Sequence, residues 1–209
     1  MSIKNIFIAV LAVVFATGCN GQNKNNAATH DRASQQTSNP GNMKNSIVIF
    51  FSHAGDNYSV GVIDTGNTKI VADYISEITG ADQFEIVTHK YDGMAYTPLI
   101  ELAKEEARKG ELPPYEGSAP DLSQYDTVFI GGPVWWGTYP QVMFTLFRDI
   151  DLSGKTVIPF TTHEGSGLAN CVDDVKKAFP KATFPKGFSI YGHEVRSGKA
   201  KVEKWLKSL

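Results

Sequence analysis

Residues 127–140 read Thr127-Val128-Phe129-Ile130-Gly131-Gly132-Pro133-Val134-Trp135-Trp136-Gly137-Thr138-Tyr139-Pro140. The opening apolar run, short and unbroken, predicts a strand covered on both faces. Two glycines end it, a glycine-flanked tryptophan pair follows, and Pro140 fits the first turn of a helix reaching Arg148. This stretch is therefore strand, loop and helix. Working outward, Ile47-Val48-Ile49-Phe50-Phe51 and Thr156-Val157-Ile158-Pro159-Phe160 repeat the strand signature, and 83–87 and 188–191 carry it more weakly. Ile70, Val71, Tyr74, Ile75 and Ile78 recur at helical spacing and predict a helix over 67–78. Pro98 opens another through Arg108, and 170–179 and 199–206 supply two more. Five strands alternating with five helices predict an α/β domain, a parallel sheet between layers of helix.

The 209 residues are 42% hydrophobic and 20% charged, near the soluble globular average, which excludes wholesale disorder. Twenty basic residues against twenty-two acidic leave a formal charge of −2, so no basic field exists to neutralise a polymer of phosphates. Nucleic acid is excluded as a partner on that ground. Two cysteines cannot build a disulfide framework. At the front, Lys4 precedes an apolar run from Ile6 to Phe15 and then Ala16-Thr17-Gly18-Cys19. A helix of that run reaches ~15 Å, about half the hydrocarbon core of a bilayer, so it reads as a secretory signal and not a span. Gly18-Cys19 resembles the end of a bacterial lipobox, which predicts acylation of Cys19. Residues 20–45 contain no Val, Ile, Leu or aromatic side chain and cannot offset their ordering entropy by burial. The expected organisation is a signal peptide of lipoprotein type over 1–18, a disordered tether over 19–45 and a folded domain over 46–209. The expected location is outside the cytoplasm, on the periplasmic side or cell envelope, touching the membrane through the lipid anchor only. Cys171 then reads as a small apolar residue in a helix.

In parallel sheets of this kind, ligands sit beyond the carboxyl ends of the strands. Three loops are therefore decisive. The first strand leads into Ser52-His53-Ala54-Gly55, a polar insertion through Thr65, and Gly66-Asn67-Thr68 at a helix start. Glycines allow close backbone approach, and a helix N-terminus offers unpaired N–H groups to an anion. These residues suit either a phosphate cradle or an ordinary turn with Asn67 as N-cap. The third strand leads into Pro133-Val134-Trp135-Trp136-Gly137, where one tryptophan suits an anchor and the other a stacking face for a planar ligand. The fourth leads into Thr161-Thr162-His163-Glu164-Gly165-Ser166-Gly167. His163-Glu164 lacks the second histidine of a zinc protease, and Ser166 lacks the glycine of a hydrolase elbow two residues before it. A polar loop that hydrogen-bonds the edge of a heterocycle fits better. His53 and His163 lie in these loops. His30, His89 and His193 read as solvated.

Together these loops resemble the flavodoxin family, over residues 46–209. Ser52-His53-Ala54 with Gly66-Asn67-Thr68 is similar to the flavin phosphate loop, divided here by the insertion from Gly55 to Thr65. Trp136-Gly137 is similar to the pair beside the isoalloxazine, and the Thr161 to Gly167 loop to the one holding the pyrimidine edge. The resemblance implies a three-layer sandwich with a five-stranded parallel sheet of order 2-1-3-4-5 and non-covalent FMN. It implies cofactor contacts from Ser52, His53, Ala54, Asn67, Thr68, Pro133, Val134, Trp135, Trp136, Gly137, Thr162, His163, Glu164, Gly165, Ser166 and Gly167. It also implies a Gly137 carbonyl able to turn toward N5 of the reduced flavin. The expected role is electron transfer to a redox partner protein or small acceptor. A small FMN-dependent NAD(P)H or quinone oxidoreductase, or a lipoprotein using the fold as a binding module, are the alternatives.

Overall fold

The computed structural model describes Met43 and residues 45–209. The expected signal peptide, Cys19, His30 and nearly all of the expected tether lie outside the described residues. Met43 and Asn45, at the expected end of the tether, are tied to the domain. Ser46 Oγ donates to the Met43 carbonyl at 2.7 Å, and the Asp126 N–H donates to the Asn45 carbonyl at 2.9 Å.

Strand β1 (Ser46–Phe51) is buried along its whole length. Successive strand side chains point to opposite faces, so Ile47, Ile49 and Phe51 enter one apolar layer while Val48 and Phe50 enter the other. An unbroken apolar run is what such a two-sided position requires, each large side chain contributing about 1.5–3 kcal/mol on burial. The insertion holds two short strands, β2 (Gly55–Asn57) and β3 (Gly61–Ile63). After it come α1 (Asn67–Thr79), β4 (Asp82–Ile86), α2 (Tyr96–Lys109), β5 (Thr127–Pro133), α3 (Gln141–Asp149), β6 (Thr156–His163), α4 (Cys171–Ala178), β7 (Phe188–Tyr191) and α5 (Lys199–Leu206). The main sheet runs β4-β1-β5-β6-β7 with every pairing parallel. Among these five strands that is the order 2-1-3-4-5. Helices α1 and α5 bury Val71, Ile75, Val202 and Trp205 on one face; α2, α3 and α4 bury Leu99, Met143, Leu146 and Val175 on the other. This is a flavodoxin-like three-layer α/β sandwich.

Three local features differ from the sequence expectation, and all three lie at the carboxyl edge of the sheet. Helix α1 is preceded by Gly66 at the N-cap, with no side-chain cap, so Asn67 is its first residue and not its cap. Strands β5 and β6 run past their apolar segments, to Pro133 and His163. Gly131 and Gly132 make this extension possible: a Cβ on Gly131 would fall 1.9 Å from the Phe160 ring, and one on Gly132 2.6 Å from Met143 Sδ. Finally, the polar insertion is ordered, with β2 and β3 paired as an antiparallel hairpin. Cys171 is buried in α4, and burial pushes its thiol up to about 12. Among the described residues no helix is long and apolar enough to cross a membrane.

Candidate functional site

Chain order reverses between β1 and β5, and there the sheet's carboxyl edge opens into a crevice of about 320 Å³. That volume lies within the range of small-molecule sites. Its floor is the carboxyl end of the sheet, one wall is the loop after β5, and the other is the hairpin.

The wall after β5 is a tight turn. Trp135 and Thr138 pair as an isolated bridge, exchanging N–H···O=C bonds of 2.9 and 3.2 Å. Trp136 and Gly137 between them have φ of +52° and +82°, the two positive values of a type I′ turn. The turn splits the tryptophans. Trp135 goes inward, its ring edge-on to Phe51, Tyr91 and His53 with centroids 5.2–5.8 Å away. Trp136 stays 51% exposed and is held in place by its Nε1–H, which donates to the Ile100 carbonyl at 2.7 Å, and by Lys104 Nζ 4.8 Å from its ring. The anchor is Trp135 and the open aromatic face is Trp136. Tyr139 fixes the turn from beneath, its buried hydroxyl shared between the carbonyls of Ile130 and Phe160. The Gly137 carbonyl accepts the Asn170 N–H at 2.9 Å. In this conformation, without flavin, it is engaged with the start of α4.

At the start of α1 the chain comes close to β1. A Cβ on Gly66 would sit 2.2 Å from Ser52 Oγ and 2.7 Å from the His53 carbonyl, so only glycine permits this approach. Ser52 Oγ accepts the Lys69 N–H at 3.0 Å. Thr68, 1% exposed, shares a 2.8 Å hydrogen bond with Thr162 across the crevice floor. Each of the two hydroxyls expected to face a phosphate thus has one partner within the protein, and Ser52, which accepts, keeps its O–H to donate. His53 differs: it is 8% exposed, and its Nε2 is buried with no hydrogen-bond partner. Burial holds its pKa below the usual histidine value, against the pull of Asp92 and Asp56.

On the β6 side, His163 Nδ1 accepts the Gly165 N–H at 2.9 Å and its ring packs on Tyr191. Burial lowers its pKa too, with Glu164 and Glu194 opposing. Glu164 receives His193 twice, from the backbone N–H at 2.9 Å and at Nδ1 at 2.6 Å. Gly192 completes the enclosure, since a Cβ there would meet Asn67 Nδ2 at 2.4 Å and Glu164 Oε1 at 2.8 Å.

Of the residues expected in the site, the crevice is lined by His53, Asn67, Thr68, Pro133, Val134, Trp135, Trp136, Thr162, His163, Glu164 and Ser166. Ser52, Ala54, Gly137, Gly165 and Gly167 do not line it. Ser52 and Gly137 support it through the bonds described, and Gly167 accepts the Thr161 hydroxyl at 2.8 Å. The sequence reading missed Asp56, Asn57 and Tyr58 from the hairpin, Tyr96, Leu99 and Ile100 from α2, and Gly192. His193, read as solvated, is exposed, and it also bonds Glu164 beside the crevice. Among the described residues no group of three or more His, Cys, Asp or Glu could hold a metal ion. A helix start whose third N–H is taken by Ser52 Oγ while the two before it have no side-chain acceptor, an unpartnered imidazole and an open tryptophan face suit a ligand with one anionic end and one planar aromatic end.

Fold and crevice define an open α/β protein with a ligand site at its topological switch point. The sequence profile of the flavodoxin family matches residues 58–209, and the chain belongs to that family. Its fold is shared with a crystallised candidate flavoprotein of Bacteroides eggerthii, 24% identical with a TM-score of 0.61 over 79% of this chain and 97% of that one. A Lactobacillus acidophilus flavoprotein in complex with FMN is 20% identical, with a TM-score of 0.56 over 78% of this chain and 98% of that one. No curated protein matches the chain.

Proposed function

We propose that this protein is an FMN-binding redox protein that transfers electrons through non-covalent FMN seated in the crevice. The observation that carries the reading is the conjunction, in one crevice, of an N–H-rich helix start, the unpartnered His53 imidazole and the exposed Trp136 ring. Family membership and the FMN complex of the Lactobacillus acidophilus protein support it. The flavin when bound supplies the redox chemistry, and the protein supplies position and surroundings. Helix α1 presents its first N–H groups to the phosphate, and Trp136 offers a stacking face to the ring system. Trp135, wedged between Phe51, Tyr91 and His53, keeps that face at a fixed angle. Thr162, His163, Glu164 and Ser166 place polar groups along the opposite edge.

A second reading is a small FMN-dependent oxidoreductase acting on NAD(P)H or a quinone. The exposed rings of Tyr58 and Trp136 at the mouth favour it, because a planar acceptor can stack there. As a lipoprotein, the chain would hold this chemistry outside the cytoplasm through Cys19. The test is a fractionation and reconstitution. Full-length protein should partition with membranes and Cys19→Ala should not. Purified protein loaded with FMN should be yellow after desalting. Turnover of NADPH with a quinone selects the oxidoreductase, and a colourless desalted protein rejects the flavin reading.

A further inference from the structure

The hairpin and the first turns of α2 line the crevice with Asp56, Tyr58, Tyr96 and Ile100, none of which the flavin reading uses. The two tyrosine rings lie together, their centroids 5.7 Å apart and their planes tilted by 31°. Tyr58 is nevertheless 60% exposed. Among the described residues the large hydrophobic side chains left exposed are Tyr58, Val62, Val87, Trp136 and Tyr191, and of these Tyr58 and Trp136 line the crevice. A single exposed ring on a surface needs no explanation. A ring pair that opens onto a ligand crevice is a face that a flat molecule can cover.

Charge restricts what can cover it. Asp56 belongs to the same wall, and one of its oxygens accepts the Tyr96 N–H at 2.9 Å, which ties the carboxylate to the ring pair. Glu164 brings a second carboxylate on the β6 side. No arginine or lysine lines the crevice. Lys69, Lys90 and Lys104, on neighbouring segments, are each paired with a carboxylate, of Asp73, Glu106 and Glu101. Burial holds His53 and His163 below the usual histidine pKa, so neither adds a positive charge above neutral pH. The one feature suited to an anion, the start of α1, is taken by the phosphate in the flavin reading. A further anionic group at the tyrosine pair therefore meets carboxylates and no counter-ion. A nicotinamide dinucleotide, with its diphosphate, is poorly matched for that reason.

On the reading that the crevice takes FMN, we propose that the hairpin wall is a second subsite, where Tyr58 and Tyr96 hold a planar aromatic ligand without negative charge, such as a quinone, and Asp56 turns anionic ligands away. Tyr58 supplies the open stacking face and Tyr96 backs it. Asp56 has two tasks, since it also fixes the first turn of α2 that carries Tyr96. The insertion that divides the first loop thus acquires a use: it brings a ring and a charge to the crevice that the sheet does not provide.

Inert ring probes test this on the full chain loaded with FMN and left oxidised, so that binding is read without electron transfer. In equilibrium dialysis, uncharged naphthol should bind beside FMN. Naphthalene sulfonate, the same ring with a negative charge, should bind about fivefold more weakly or worse. Tyr58→Ala should weaken naphthol about two- to tenfold while FMN stays bound. Asp56→Asn keeps an oxygen for the Tyr96 N–H and should close most of the gap between the two probes. Equal binding of both probes by the wild type, an unchanged gap in Asp56→Asn, or unchanged naphthol affinity in Tyr58→Ala would overturn the proposal. Competition between naphthol and FMN would overturn it too, because the hairpin rings would then belong to the flavin. If Tyr58→Ala loosens the hairpin, the two probes on wild type and Asp56→Asn decide alone. A chain that holds no FMN removes the flavin reading and this subsite with it, and is seen as a colourless protein before any probe is added.

Discussion

The two walls of the crevice are built on different principles. The wall after β5 grows out of the sheet: Gly131 lies under Phe160, Gly132 under Met143 and Tyr139, and Trp135 is wedged among three rings. The hairpin wall hangs beside the sheet on polar bonds. Asn57 Nδ2 donates to the Gly55 and His53 carbonyls, Asp56 caps the start of α2 at Tyr96, and Tyr58 rests on Tyr96 while 60% exposed. Apolar packing fixes the first wall with the whole core behind it. The second can be changed with little consequence for the domain.

The sharpest way to break this contrast is Gly131→Ala. The new Cβ would lie 1.9 Å from the Phe160 ring, and Phe160 is fully buried and cannot swing away. Overpacking of this kind costs about 1–3 kcal/mol and occasionally more, and this site belongs at the upper end. Urea denaturation should show the loss, and Phe160→Leu in the same chain should recover part of it by clearing the space.

A smaller loss is expected from Asp56→Ala on the hairpin. Helix α2 has Ala95 at its N-cap and no side-chain cap of its own, so the distant Asp56 carboxylate serves instead. Removing an N-cap acceptor costs about 0.5–2 kcal/mol. The hairpin should also become the first point of proteolytic nicking, since exposed loop tips with few tethers are cut preferentially. Nicking elsewhere first would mean that Tyr58 on Tyr96, and not Asp56, holds this wall.

The same contrast explains what the sequence disclosed. Strands buried on both faces must be apolar throughout, and so β1, β5 and β6 were legible from composition over four or five residues. Their helices followed from spacing and proline. The β5 wall was legible because glycine pairs and paired tryptophans have few other uses. The hairpin was not: its two strands are three residues each, the first polar and the second only Gly-Val-Ile, and they pair only with one another. The sole local cue was Tyr58-Ser59-Val60-Gly61, a turn-like cluster between Asn57 and Val62. Tyr96, Leu99 and Ile100 carry no motif because they reach the crevice from the first turns of α2. Gly192 and His193 carry none because their role depends on Glu164, which lies 29 residues from His193 in the chain.

The smallest effect on stability should come from the most exposed part of the firm wall. Trp136 is a non-glycine residue at φ +52°, in the first central position of a type I′ turn, where asparagine is the favoured residue. Holding a bulky side chain there costs about 1–2 kcal/mol. The indole recovers about 0.5–1.5 kcal/mol through its Nε1–H bond to the Ile100 carbonyl, and about 0.5–1 kcal/mol through the Lys104 ammonium. Trp136→Asn removes the strain and both compensations together. The free protein should therefore change by about 0.5 kcal/mol or less in either direction, as for surface substitutions generally. Flavin affinity should not be spared. If the ring stacks on the isoalloxazine, FMN and riboflavin should both weaken about two- to tenfold, from a stacking contribution of about 0.5–1.5 kcal/mol. Unchanged stability with weakened flavin would mean that the turn tolerates an unfavourable residue for the sake of its aromatic face. A clear gain in stability with flavin binding intact would mean the reverse, that Trp136 is a strained surface residue and the stacking face lies on the hairpin with Tyr58.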